Sequence, residues 1–392
     1  MREFQIEVDD IYACPGSCTG CVLSIQERRL VEPAMDEGVM DLTLDRLTEY
    51  VPCVEGLEAV NVAFGIADHL MLPNEYTVGI YRKAVAFLER VGYASPGRGS
   101  VFFSTSLIGK IDKIIPRLQA IADATRDGPV PFYPIAVFDP VLMDSKFAEN
   151  YATIIRETQR IFGRTDLSVN MSGIVVETIT PEEMVAFARD RGFDEVTINW
   201  SPTLGNVSAT CIDMNALVAW FKGFAVAAER EGVEYSFGPV IRKSIDVAMC
   251  GRSDPSVPEP LPALIKRQIV RRTVERSLQF DHKGNFFPKL EAIGDVAYNE
   301  RFGLKPIANV ADGPIAESLA KVWANIERQM VATHIKTPVC VGCPVLDVCA
   351  ITGFHVYSHV LDLSKIPPTS NNCRHVARDL IDFFMEQGGR HD

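Results

Sequence analysis

The sequence has 392 residues, 47% hydrophobic and 23% charged, a mixture that excludes disordered, collagen-like and fibrous chains and allows two domains or one barrel with an appendage. Its net charge of −12 argues against binding nucleic acid through a general basic surface. No run approaches the roughly 18 apolar residues that span a bilayer, and the opening MREFQIEVDD is acidic where a signal peptide is basic and then apolar, so the chain reads as cytoplasmic with no membrane partner.

Short β-rich runs alternate with helical patterns as far as about residue 199, the signature of βαβ units around a parallel sheet. Strands are predicted over 4–11, 59–65, 101–105, 132–138, 167–176 and 196–200, with helices over 42–54, 75–91, 108–125, 145–162 and 181–190. The last helix opens Thr180-Pro181-Glu182-Glu183, which supplies an N-cap hydroxyl, proline at the first helical position and early acids. After Ser201-Pro202 the alternation stops and helices are predicted over 214–231, 261–276 and 317–333. Between the last two, a β-hairpin is expected over 277–287, turning at Asp281-His282-Lys283-Gly284. The expected organisation is α/β: a partial (β/α)6 barrel over 1–204, a helical connection over 205–275 and a smaller α+β domain over 276–392.

Ten cysteines are the least ordinary feature, and in a reducing compartment clustered thiols hold metal more often than each other. Cys14-Pro15-Gly16-Ser17-Cys18-Thr19-Gly20-Cys21 follows the first strand, and its Pro15, Gly16 and Gly20 let the backbone curl around one small object. Three thiols suit a soft metal ion or an iron-sulfur cluster with one iron left open, or a zinc whose fourth ligand lies elsewhere. Near the C-terminus, Cys340, Cys343, Cys349 and Cys373 supply four thiols, enough to close a tetrahedral zinc or a 4Fe-4S cube. Cys53, Cys211 and Cys250 read as small buried hydrophobes.

The CxxxCxxC spacing on the first strand of a six-strand α/β run resembles the radical S-adenosylmethionine (SAM) superfamily. The hairpin, the segment 307–310, the tryptophan-bearing stretch 318–323 and the late cysteines resemble that superfamily's C-terminal SPASM or twitch extension. The resemblance implies that Cys14, Cys18 and Cys21 bind a 4Fe-4S cluster whose open iron is chelated by SAM. It likewise implies that Cys340, Cys343, Cys349 and Cys373 bind an auxiliary 4Fe-4S cluster. Lys289 and Gly353 stand where a full SPASM domain carries further cysteines, which leaves two clusters in total.

Gly65 and Asp68 partly match the family's Gly-Gly-Glu-Pro segment that touches the SAM amino group, while Asp139 and Asn170, near the ends of strands four and five, are placed for further SAM contacts. The implied activity is an oxidoreductase that takes a hydrogen atom from a peptide or protein side chain, with a flavodoxin or ferredoxin as electron donor. A small-molecule substrate such as an aminocyclitol, sugar or tetrapyrrole is the alternative, and a structural zinc or iron-sulfur protein the non-enzymatic one. His69, beside Asp68, is placed at the barrel mouth as a candidate acid or base; His355, His359 and His375 read as packing residues. Trp220, Phe221 and Phe224 read as core. Arg267, Arg271, Arg272 and Arg276 read as a solvated stripe able to guide an anion.

Overall fold

The β-branched and aromatic runs become strands of one continuous sheet. The structure is a computed structural model, and it describes residues 3–15, 23, 25–65, 67–138, 140–199, 213–266, 276–288, 306–321, 323, 327, 339–352, 369–371, 373 and 377–388. Strands β1 (Glu3–Val8), β2 (Ala59–Phe64), β3 (Gly99–Thr105), β4 (Phe132–Phe138), β5 (Asp166–Asn170), β6 (Glu195–Asn199) and β7 (Glu234–Tyr235) pair in chain order and all run parallel. Along β3, fully buried residues alternate with half-buried ones, the period of a pleated strand packed more tightly on one face. The order is that of a partial barrel, as the alternation predicts.

The connections include α1 (Ile25–Arg28), α2 (Glu37–Tyr50), α3 (Asn74–Val91), α4 (Ile111–Thr125), α5 (Ser145–Phe162), α6 (Gly173–Thr178), α7 (Pro181–Arg191) and α8 (Met214–Glu231). Helix α7 starts with the expected Thr180 cap, and the structure adds a capping box: Thr180 Oγ1 accepts from the Glu183 N–H and Glu183 reaches back to the Thr180 N–H. Helix α8 carries Trp220, Phe221 and Phe224 into the core; Trp220 stacks on Phe224 and donates its indole N–H to Ile179 O.

Several expectations change. The strand expected over 167–176 stops at Asn170, because Ser172 caps α6 by accepting the Val175 N–H and so turns two valines into a helix. The alternation also continues beyond Pro202, since β7 follows α8 as a seventh parallel strand and leads into α9 (Phe237–Gly251). Within the helix expected over 261–276, the described turn is α10 (Leu261–Lys266), and Arg276 lies directly before the next strand. Most of 317–333 lies outside the described residues, as do Arg267, Arg271 and Arg272.

The hairpin is present, as β8 (Ser277–Phe280) and β9 (Asn285–Pro288), with Gly284 at φ +80° in the turn. It is also part of the barrel sheet. β8 pairs in parallel with β1, opposite β2, and β9 then pairs with β10 (Ala308–Asn309). Asp9 N–H donates to Phe280 O at 2.8 Å and Gln5 N–H to Arg276 O at 2.8 Å. Two further helices, α11 (Leu346–Ile351) and α12 (Ala377–Gly388), pack with each other and with α9. No helix among the described residues is long and apolar enough to cross a membrane.

Phe280 is fully buried against Phe286 at the β1–β8 junction. Phe280→Ala is therefore expected to cost about 3–5 kcal/mol, read as a lower urea midpoint; a loss below about 1 kcal/mol would contradict a packed junction.

Candidate functional site

In a parallel α/β sheet the C-terminal strand ends share one edge, and ligands bind there. Cys14, Gly65, Asp68 and Asn170 all follow or end strands at that edge, as the register pairs Val8 with Phe64 and Asn170 with Asn199 show. Cys18, Cys21 and Asp139 lie outside the described residues. Half-buried Cys14 is fixed by its own backbone: its N–H donates to Arg28 O at 3.0 Å, and Ala13 O accepts the Asp68 N–H at 2.9 Å. The first thiol is thereby tied to the loop after β2.

Gly65 adopts φ +80°, donates its N–H to Val8 O at 2.8 Å and accepts from Ser104 Oγ at 2.7 Å. A Cβ here would stand 2.4 Å from His69 Cε1, so both the left-handed backbone and the close ring demand glycine. Asp68 is 2% exposed and its carboxylate is filled by protein donors: Leu70 N–H and Thr105 Oγ1 on one oxygen, Ser106 N–H and Oγ on the other. That carboxylate organises the loops after β2 and β3.

His69 does not stand at the mouth. Its side chain is fully buried, with Nε2 3.1 Å from Asp10 Oδ2 and Nδ1 3.2 Å from Ser104 O, between Tyr76 and the edge of Phe103. Tyr76 also donates to Asp10 Oδ2, at 2.9 Å, and burial followed by the Asp10 charge pushes its phenol well up. This sequestered set braces β1, β2 and β3 beneath the edge and is not placed to exchange protons with a substrate. From the hairpin side, Gln279 donates to Asp9 and His282 hydrogen-bonds Tyr12.

The second thiol group forms where the chain doubles back. Gly342 at φ +77° turns the Cys340–Cys343 segment, the Cys343 N–H donates to Cys340 O, and α11 carries Cys349 inward. Cys373, far along the chain, joins them, and every pair among the four thiols interacts electrostatically. Burial, then its neighbours Cys373 and Cys343, pushes the Cys340 thiol up to about 12; burial pushes Cys349 well up and Cys343 up, the latter opposed by the Val345 N–H and the Arg378 charge. Arg378 Nε is buried, finds no hydrogen-bond acceptor among the described residues and lies 3.7 Å from Asp382 Oδ2 as an ion pair.

Four mutually interacting thiols, three of them pushed up in pKa and one of these beside the Arg378 cation, are a donor set that fits an iron-sulfur cluster. Among the described residues no three Cys, His, Asp or Glu side chains converge as they do around a single metal ion. Cys53 and Cys250 are exposed rather than buried: each sits at or just past a helix end and faces out. Cys211, His355, His359 and His375 lie outside the described residues. The Asp10–His69–Tyr76 brace and the Asp9–Gln279 bond escaped sequence reasoning, since adjacent acids after a strand carry no signal of what they will face.

No family model and no curated protein matches the sequence. Solved structures match by fold. Native anSMEcpe with bound AdoMet superposes with a TM-score of 0.60 at 10% identity, covering 99% of this chain and 97% of that one. Native anSMEcpe with bound AdoMet and Cp18Cys peptide gives 0.58 at 10% identity over the same shares. Streptococcus suis SuiB bound to precursor peptide SuiA gives 0.54 at 12% identity, covering 89% of this chain and 71% of that one. At these identities the likeness is one of fold, and in the first two it spans barrel and C-terminal region alike.

The raised thiols fix a pH dependence for metal-free protein. Below the ordinary thiol value of 9.0 both states hold the thiol protons; above it the unfolded chain ionises first, so stability falls as pH rises toward about 12. Urea midpoints of metal-free protein should drop between about pH 7.5 and about pH 10, and drop less in Cys340→Ser/Cys343→Ser. An equal drop in both proteins would contradict the placement of these thiols.

Proposed function

We propose that this chain is a cytoplasmic radical SAM oxidoreductase of the SPASM or twitch type that modifies a peptide or protein side chain. The observation that carries the reading is the whole-chain likeness to an AdoMet-bound fold, with Cys14 at the ligand-binding edge of the sheet. Cys14, Cys18 and Cys21 would hold a 4Fe-4S cluster with one open iron, and Cys340, Cys343, Cys349 and Cys373 a closed one. Reduced by one electron from a flavodoxin or ferredoxin, the first cluster with SAM would supply a 5′-deoxyadenosyl radical that takes a hydrogen atom from the substrate.

The protein's own part is placement. Gly65, kept free of a side chain, lets the strand end approach closely, while Asp68 holds the turn through Leu70, Thr105 and Ser106. Asp68 would thus shape the SAM site through the backbone around it, with Asn170 at the end of β5 and, from its place in the sequence, Asp139 as the proposed contacts to ribose or carboxylate groups. A peptide substrate is supported by the bound Cp18Cys and SuiA peptides of the similar folds.

Reconstituted, reduced protein should convert SAM to 5′-deoxyadenosine, and Cys14→Ala/Cys18→Ala/Cys21→Ala should abolish this conversion because no open-iron cluster can form. Cys349→Ala should retain some cleavage while losing substrate turnover. Persistent 5′-deoxyadenosine in the triple variant would overturn the assignment. Gly65→Ala should lower SAM cleavage at least about tenfold through displacement of the His69 ring; unchanged cleavage would remove Gly65 from the site.

A further inference from the structure

Asp347 lies between Cys343 and Cys349, and its side chain is fully buried. Four protein donors converge on it: Arg252 Nε and Nη2, each at 2.7 Å, the Glu259 N–H at 3.0 Å and the Val348 N–H at 2.9 Å. Arg252, whose side chain is 3% exposed, stands at the C-cap of α9 and donates further to Pro255 O at 2.9 Å and Pro344 O at 3.1 Å. One guanidinium therefore fastens the end of α9, the 252–259 loop and the cysteine loop at both Pro344 and Asp347. Burial alone would raise the Asp347 carboxyl, yet the Arg252 hydrogen bonds and the Glu259 N–H hold it below its ordinary value.

Such a bidentate pair is rigid, and none of its partners is a thiol or requires a metal. In many small metal-binding domains the metal folds the site. Here the same loop is already held by protein donors. We propose that Arg252 and Asp347 are positioning residues that preform the four-thiol site, so that the pocket exists before any cluster enters it. The inference rests on reading the four thiols as a metal site, but its test does not need a loaded enzyme.

The test is the alkylation rate of each cysteine in iron-free, reduced full-length protein, with exposed Cys53 and Cys250 as internal references. A preformed pocket requires buried Cys349 to react at least about a hundredfold more slowly than the references. Arg252→Met leaves the Asp347 charge buried and unpaired, so the protection of Cys349 should fall by an order of magnitude or more, while Cys53 and Cys250 keep their rates. The Arg252→Met/Asp347→Leu pair removes both charges and should recover part of the protection. Asp347→Asn is the milder variant should Arg252→Met fail to fold by circular dichroism, and it should fall in the same direction.

Cys349 reacting as fast as Cys53 in the iron-free parent would overturn the proposal, as would protection unchanged in both single variants. Reconstitution of the parent with iron and sulfide separates this from failure of the metal reading. Protected thiols that take up no iron-sulfur chromophore would sink the cluster and leave the clamp standing.

Discussion

The pairing of β1 with β8 is the constraint that sets the entrance of the first thiol loop. A strand of six residues is held on one side by β2 and on the other by a hairpin about 270 residues later in the chain. Closing so long a loop carries an entropic cost that grows only slowly with length, and the buried Phe280–Phe286 contact and the Asp9–Phe280 backbone bond oppose it. Because β1 also leads into Cys14, the same pairing that completes the sheet sets the entrance of the first thiol loop. The Tyr12–His282 and Asp9–Gln279 bonds extend that tie beyond the strand ends.

The two thiol groups are built on opposite principles. Around Cys14 the structure provides backbone anchors and a filled Asp68 carboxylate, leaving a half-buried thiol at an edge where a ligand can approach. Around Cys349 it provides burial, three thiols pushed up beside Cys373 and a salt-bridge clamp, with Arg378 beside Cys343.

Much of the fold was legible where local chemistry and tertiary packing agree. The helix over 214–231 matches its predicted bounds because Asp213 caps its start and left-handed Gly232 ends it, and the aromatic run of β4 likewise keeps its limits. The run 167–176 misled because two valines look like a strand, while the deciding Ser172 cap is a single hydroxyl. β7 has only two residues, too few to show a period, and α9 opens Phe237-Gly238-Pro239, which reads as a turn. The hairpin was written in Asp281 to Gly284, but its parallel union with β1 is a long-range choice that no local pattern carries. Of the site, spacing marked the cysteines; the burial of His69 and Asp68, the exposure of Cys53 and Cys250 and the Arg252–Asp347 clamp emerged only with the fold.

We propose that the chain holds two four-iron sites, one lacking a fourth protein ligand and one complete. Anaerobic reconstitution followed by iron and sulfide counting tests it most directly. About eight irons in the parent and about four in Cys14→Ala/Cys18→Ala/Cys21→Ala are expected, the remainder resting on Cys340, Cys343, Cys349 and Cys373. Two zincs in the parent, or a triple variant that binds no iron, would contradict it.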